Sequence, residues 1–169
     1  MFSMSNYNKT KININICVVS PGLLAFSPAY YLLHQMRGYV MLVINRIKED
    51  RPLTDPSISD YLIDLSRSLA RLKAFSNKDK INRLETLLGF KIASPREELL
   101  IEELGNLCTL ADYVLIKFDT YKKHYKLKRR EYRDDTVKKQ YYSGFSFLRY
   151  RIDAALLFFG DLLTKEGEK

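Results

Sequence analysis

Apolar residues recur at intervals of three and four along almost the whole chain after residue 27, and this periodicity restricts the fold more than any other sequence feature. Residues with that spacing lie on one face of an α-helix. Helix-start and helix-stop signals divide the pattern into five segments. The length of 169 residues suits a single domain. We therefore predict an all-α bundle of about five helices, formed by residues 23–169.

Proline in the first turn marks three of the predicted helix starts. A residue in that turn needs no backbone N–H, and the Ser or Asp before it can cap the helix. Glu97, three residues after one of these caps, completes a capping box. A shorter helix over residues 78–88 is expected to end at Gly89. The three starts are Ser27 with Pro28, Asp55 with Pro56, and Ser94 with Pro95.

The helix that opens at Pro95 is predicted to be much longer than the others. No glycine or proline occurs between residues 107 and 140, and the nearest start signal for a last helix is Asp134. At about 1.5 Å per residue, a helix over 95–133 would be about 58 Å long, whereas the first helix would reach only about 33 Å. We expect the last two helices to form a long antiparallel hairpin over residues 95–163 that extends beyond the bundle.

The first helix is predicted to be apolar on two faces. One face carries Leu33 and Val40, and the other carries Met36 and Val43. A helix of this kind is either the central helix of a bundle or the seam of an oligomer.

Residues 11–19 alternate between apolar and polar side chains, which is typical of a half-buried strand. The sequence contains no convincing second strand to pair with it. Three roles remain open: pairing across a symmetric dimer, addition to the sheet edge of a partner, or a simple extended arm. We assign residues 1–22 to an N-terminal extended arm that ends in a turn at Pro21 and Gly22.

The excess positive charge is concentrated in residues 117–139, which we call the basic region. The chain holds 28 Lys and Arg against 20 Asp and Glu, a formal charge of +8. Ten of the basic and four of the acidic residues fall in the basic region, which therefore contributes +6 of the +8. Phosphates repeat along a nucleic acid, so cations on one rigid helix can contact several of them and release counterions.

Helical spacing aligns many cations of the basic region. Lys122, Lys126 and Arg133 fall in one row, with Arg129 or Arg130 between the last two. This arrangement favours contact with a nucleic-acid backbone. The predicted nucleic-acid-binding residues are Lys122, Lys123, Lys126, Lys128, Arg129, Arg130 and Arg133, with Lys138 and Lys139 as flanking support.

Tyrosines lie beside the row of cations. Tyr125 and Tyr132 could stack on unpaired bases. Tyr121 and Tyr125 also continue the apolar stripe of the long helix, so a place in the core is the competing interpretation.

The sequence contains no motif for catalysis, metal binding or a cofactor. His34 and His124 lie 90 residues apart, and neither has Cys, Asp or Glu at metal-ligand spacing. His34 is predicted to be a hydrogen-bonded core residue of the apolar first helix. Cys108 is expected to be a buried small hydrophobe, and with Cys17 it cannot build a disulfide framework or a zinc cage. We expect no catalytic residue, no metal, no cofactor and no small-molecule substrate.

Residues 12–44 are rich in apolar side chains but do not match a membrane span. Asn13, Pro21, Pro28 and Arg37 interrupt the run of about twenty apolar residues that a span requires. We expect a soluble protein of the cytoplasm.

These features predict a non-catalytic accessory protein that binds DNA or RNA through the phosphate backbone, as a small subunit of a nucleoprotein assembly. The alternative is a protein–protein assembly or adaptor subunit. That protein would oligomerise through its apolar first helix and dock an acidic partner on the basic region. An enzyme would need a pocket that leaves no signature in the sequence.

Overall fold

The computed structural model describes residues 26–49, 51–91, 95–127 and 134–168, and their side chains except those of residues 122, 124–127, 134–136 and 163–168. Within these ranges there are five α-helices and no strand, so the all-α prediction is confirmed. The predicted arm over 1–22, with its strand-like segment, lies outside the described residues. The helices are α1 (Ser27–Lys48), α2 (Pro56–Lys73), α3 (Lys78–Leu88), α4 (Pro95–Leu127) and α5 (Asp134–Glu168), with a 3-10 turn at Ala74–Ser76 between α2 and α3.

Four of the helices surround one core, and each is antiparallel to its two neighbours. The helix α1 packs against α2 and α5, and α4 closes the ring by packing against the same two helices. Opposite ends of α1 contact opposite ends of α5: the Tyr30 ring lies 5.2 Å from that of Phe159, and the Lys48 ammonium lies 5.7 Å from the Tyr142 ring. The short helix α3 lies outside the ring, in the connection between α2 and α4, and contacts mainly the 3-10 turn.

The two apolar faces of α1 are both covered by helices of the same chain. Leu33, Met36 and Val40 are fully buried, and α1 has its most extensive contacts with α2 and α5. Of the two roles that the sequence left open for this helix, the structure shows the first, a core helix of the bundle.

Cross-helix ion pairs align neighbouring helices. The Nε of Arg37 on α1 lies 2.6 Å from the carboxylate of Asp153 on α5, and the Lys73 ammonium on α2 lies 2.8 Å from Asp112 on α4. These side chains are more than a third exposed, so each pair contributes little to stability. Their positions follow from the packing of apolar residues beneath them.

Helix ends follow local signals at α2 and α3. Asp55 caps α2 by accepting hydrogen bonds from the backbone N–H of Ser57 (2.8 Å) and from its hydroxyl (2.7 Å). Asn77 caps α3 by accepting hydrogen bonds from the backbone N–H groups of Asp79 (3.0 Å) and Lys80 (3.2 Å). The helix α3 ends as predicted at Gly89, whose φ of 78° suits a residue without a Cβ.

The start of α1 differs from the prediction. Ser27 is already the first helical residue, and Phe26 occupies the capping position without a side-chain hydrogen bond. Phe26 is buried and its ring lies 6.1 Å from that of Phe75, so apolar packing holds this end in place of a polar cap. The capping Ser94 predicted for α4 lies outside the described residues, and α5 extends past the predicted residue 163 to Glu168.

Removing a buried aromatic ring should test the core directly. Phe145 on α5 is fully buried and its ring lies 6.1 Å from that of Phe118 on α4. We expect Phe145→Ala to lower the free energy of unfolding by about 3–5 kcal/mol, because it removes apolar contacts and leaves a cavity. Phe90→Ala, at a half-exposed ring outside the helices, should change it by no more than about 0.5 kcal/mol. Equal losses of stability in urea titrations of the two variants would contradict this packing.

The cap of α2 should make stability depend on pH. The hydrogen bonds from Ser57 hold the pKa of the Asp55 carboxyl below its usual range. A lowered pKa in the folded state stabilises the protein above the pKa of the unfolded chain, and this contribution is lost as the pH falls through the folded value. Asp55→Asn keeps a good cap that does not titrate. Thermal melts at pH 7 and pH 3 should therefore show a smaller loss of Tm in Asp55→Asn than in the wild type, and an identical loss would contradict the prediction.

Candidate nucleic-acid interface

The hairpin of α4 and α5 extends beyond α1 at one end of the bundle. The two helices contain 33 and 35 residues, against 22 in α1 and 18 in α2. At the Ser27 end, α1 begins beside the last turns of α5, because Tyr30 packs against Phe159. At the other end α1 terminates beside Tyr142. The part of α4 after Tyr121 and the part of α5 before Tyr141 therefore continue past the end of α1, and we call them the projection. The first turn of α2 still lies beside α4 here, because Ser59 and Lys123 line one groove.

An aromatic cluster forms the base of this projection. Tyr121 is buried and its ring lies 5.3 Å from that of Tyr141, which in turn lies 5.2 Å from the Phe118 ring. The Tyr141 hydroxyl donates a hydrogen bond to the backbone carbonyl of Lys117. Tyr121 is thus a core residue, as one of the two interpretations predicted, and the cluster fixes α4 against α5 where the projection begins.

Three of the predicted cationic side chains are described, and all three lie at this end. Lys123 on α4 is 76% exposed, Lys139 on α5 is exposed and Lys138 is half-buried. The Lys123 ammonium lies 3.4 Å from Asp119, which is also largely exposed. An exposed pair of this kind contributes little and is screened by salt, so a phosphate can compete with it for the lysine.

The remaining predicted site residues are only partly covered by the structure. Lys122, Tyr125 and Lys126 lie on the helical backbone of α4, but their side chains are outside the described set. The row of aligned cations and the stacking role of the tyrosines therefore stay predictions. The predicted residues that lie outside the described ranges altogether are Lys128, Arg129, Arg130, Tyr132 and Arg133.

Two lysines near the projection are absent from the predicted site residues, although Lys117 was counted in the basic region. Lys48, at the end of α1, lies over the Tyr142 ring and so reaches the side of α5 that also carries Lys138, one helical turn away. Lys117 lies 5.5 Å from the centre of the Tyr113 ring. The spacing of four between Tyr113 and Lys117 is visible in the sequence, whereas the contact between Lys48 and Tyr142 is tertiary and leaves no local signal.

Acidic groups in the body of the bundle have cationic partners there. Asp153 lies within 4 Å of both Arg37 and Arg149, and the Glu103 carboxylate lies 2.9 Å from Arg151. These pairs balance charge along the bundle without drawing on the lysines of the projection.

The groups considered for chemistry do not converge in the part of the chain that the structure describes. His34 is exposed and lies edge-on to Tyr30 at 4.7 Å, so its prediction as a core residue is wrong. It occupies the outer side of α1, between the two apolar faces. Cys108 is buried as predicted. No group of three or more His, Cys, Asp and Glu residues within the described ranges could hold a metal ion.

Comparisons with known proteins supply no relative whose fold or site could guide the interpretation of this one. No protein-family model matches the chain, and neither a curated protein nor a solved structure is significantly similar to it. Across the described ranges, none of the helices combines the length and apolar character needed to cross a membrane.

Burial should make the Cys108 thiol unreactive. Desolvation raises its pKa to about 11, so almost no thiolate exists at neutral pH. In a Cys17→Ser background, we expect a thiol reagent at pH 7.5 to label the folded protein at least about a hundredfold more slowly than the urea-unfolded protein. Rapid labelling of the folded protein would show that Cys108 is accessible and would reopen the question of a nucleophile.

Proposed function

We propose that this protein is a non-catalytic accessory subunit that binds nucleic acid through the end of the α4–α5 hairpin. One observation carries the proposal: the region with a net charge of +6 begins in the last turns of α4 and ends in the first turns of α5, and both helices continue there past the end of α1. The exposure of Lys123 and Lys139 at that end lets a polyanion approach them.

The binding energy would come mainly from phosphate contacts. Successive turns of a helix present lysines about 5–6 Å apart, and duplex DNA carries one negative charge per about 1.7 Å of its axis. Lys123 on α4 and Lys139 on α5 are both exposed at this end of the bundle, and in the proposal each contacts a phosphate. Each phosphate that a lysine neutralises releases bound counterions, so the affinity falls as the salt concentration rises.

The proposed binding depends little on the identity of the bases. A helical surface of lysines contacts phosphates regardless of sequence. Tyr121 is buried in the core, so the tyrosines proposed to stack on unpaired bases are Tyr125 and Tyr132. The proposal includes binding to DNA or RNA in the cytoplasm, within a larger nucleoprotein assembly.

The salt dependence of binding tests the proposal. We would measure the fluorescence anisotropy of labelled single- and double-stranded oligonucleotides over a salt series. The variant Lys123→Ala/Lys138→Ala/Lys139→Ala removes three described cations of the projection. If each contacts one phosphate, the slope of log K against log salt should decrease by about 2.7 for a duplex and about 2.1 for a single strand.

A matched variant separates local contacts from net charge. Lys78→Ala/Lys80→Ala/Lys91→Ala also removes three exposed lysines, but from α3 and the residues after it, at the opposite end of the bundle. It should bind nearly as the wild type does. Equal weakening by the two triple variants, or no binding by the folded wild type at low salt, would contradict the proposal. In the second case an acidic protein becomes the expected ligand of the basic region.

A further inference from the structure

The outer side of α5 carries an apolar stripe that the bundle does not cover. Phe147, Tyr150 and Leu157 are 52%, 68% and 72% exposed, and the partly exposed Ala154 lies between the last two. Their spacing of three, four and three is that of the contact positions in a coiled coil. The core face of α5 is a different one, occupied by residues such as Phe145 and Ile152.

The stripe is too large to be an incidental exposure of single side chains. An aromatic side chain has about 150–250 Å² of surface, so Phe147 and Tyr150 together expose roughly 250 Å². On the neighbouring α4, Leu99 and Tyr113 are also more than half exposed. The combined patch reaches the several hundred Å² that mark an interaction surface, and it approaches the apolar part of a standard interface of about 800 Å² per partner.

We infer that this face of α5 binds the same face of a second copy of the chain, with the two α5 helices antiparallel. Because of this spacing, the stripe of one copy can pack against the same stripe of a second copy. A two-fold axis beside position 152 sets Tyr150 opposite Ala154 of the second copy and Phe147 opposite Leu157. A large side chain thus meets a small one at the centre, as packing of knobs into holes requires.

The register places Tyr150 of the second copy opposite Ala154, and a cavity beside Ala154 can receive its ring. The cavity has a volume of about 420 Å³, and it lies in the groove between α4 and α5. Because Ala154 lies on its wall, Tyr150 of the second copy would enter it. Polar groups in the wall can accept a hydrogen bond from the phenol hydroxyl. The lining residues are Leu99, Glu102, Glu103, Asn106, Ala154 and Phe158.

Charge favours the antiparallel orientation over the parallel one. Lys139 is exposed toward the basic end of the stripe and Asp161 is exposed at the other end. In an antiparallel pair, Lys139 of each copy lies toward Asp161 of the other copy, and the two basic regions lie far apart. A parallel pair would place two regions of +6 side by side, which like-charge repulsion disfavours.

Two other exposed apolar surfaces serve as internal comparisons. Leu87 on the short helix α3 is 85% exposed, and Ile63 and Ile116 lie in a groove of about 780 Å³ between α2 and α4. The exposed leucines of α3 occupy a helix of only 11 residues, and Ile63 and Ile116 lie on different helices, so neither surface has a row of large apolar side chains as long as that on α5. Neither is expected to drive self-association.

The oligomeric state of the full chain gives the first test. Light scattering after size exclusion, over about 1–100 µM, should show a monomer–dimer equilibrium. We expect Tyr150→Glu/Leu157→Glu to raise the dissociation constant at least about thirtyfold, because interface tyrosines are frequent hot spots. Leu87→Glu adds one of the same charges at an exposed leucine and should leave it unchanged. Circular dichroism is used to check that each variant is folded. A wild type that stays monomeric at 100 µM, or a dimer that the double variant does not weaken, would overturn the inference.

Cysteine cross-linking tests the register independently of variant stability. Tyr150→Cys and Ala154→Cys are made separately in a Cys17→Ser background, where the buried Cys108 remains. Oxidation of the mixed variants should link position 150 of one copy to position 154 of the other, since a disulfide needs Cα atoms closer than about 7 Å. Each variant alone should link poorly. Efficient linking within either single variant, or none in the mixture, would overturn the antiparallel register.

Discussion

Five residues of α5, spaced at three and four, are fully buried and join α5 to both α1 and α4: Phe145, Leu148, Ile152, Ala155 and Phe159. The bundle closes through this face, because α5 packs extensively against α1 on one side and α4 on the other. Once α5 is held in that position, its 35 residues cannot all lie beside the 22 residues of α1. Packing of α5 thereby determines which part of the hairpin projects and which face of α5 remains outside.

The projection and the outer face have different physical characters. The basic region that includes the projecting end carries most of the excess positive charge, and attraction between charges is long-range and weakened by salt. The outer stripe is apolar at Phe147, Tyr150 and Leu157, and its binding follows from removal of apolar surface from water, which salt does not screen. The two surfaces are formed by one helix pair, yet their interactions respond in different ways to ionic strength.

Sequence reasoning succeeded where a signal is local. Asp55 before Pro56 and Gly89 after α3 mark helix ends through hydrogen bonds and backbone conformation within a few residues, and the structure has both. It failed at Ser27, because the packing of Phe26 against Phe75, distant in the chain, decides how α1 begins. It failed at His34 because the side of a helix that faces solvent depends on where its neighbours lie.

The candidate site, like the helix ends, could be predicted only in part from the sequence. Charge counting locates the basic region, but only the relative lengths and packing of the helices show that this region begins at the end of the bundle. The contact of Lys48 with Tyr142 joins residues nearly a hundred positions apart and has no counterpart in the sequence pattern. The stripe on α5 was hidden for another reason. Its apolar residues mingle in the sequence with those of the core face, and only burial separates the two sets.

The two proposals are physically independent, but together they define a geometry. In the antiparallel dimer, Lys139 of each copy lies 13 residues from the two-fold axis beside position 152, so the two lysines are about 40 Å apart along the helix axes. The basic regions then occupy opposite ends of one particle, which allows one nucleic acid to contact both or two nucleic acids to be held together. Two linked sites raise the overall affinity only where one strand can span them. If both proposals hold, the Tyr150→Glu/Leu157→Glu variant should therefore bind a short oligonucleotide as the wild type does and lose affinity selectively for a long one.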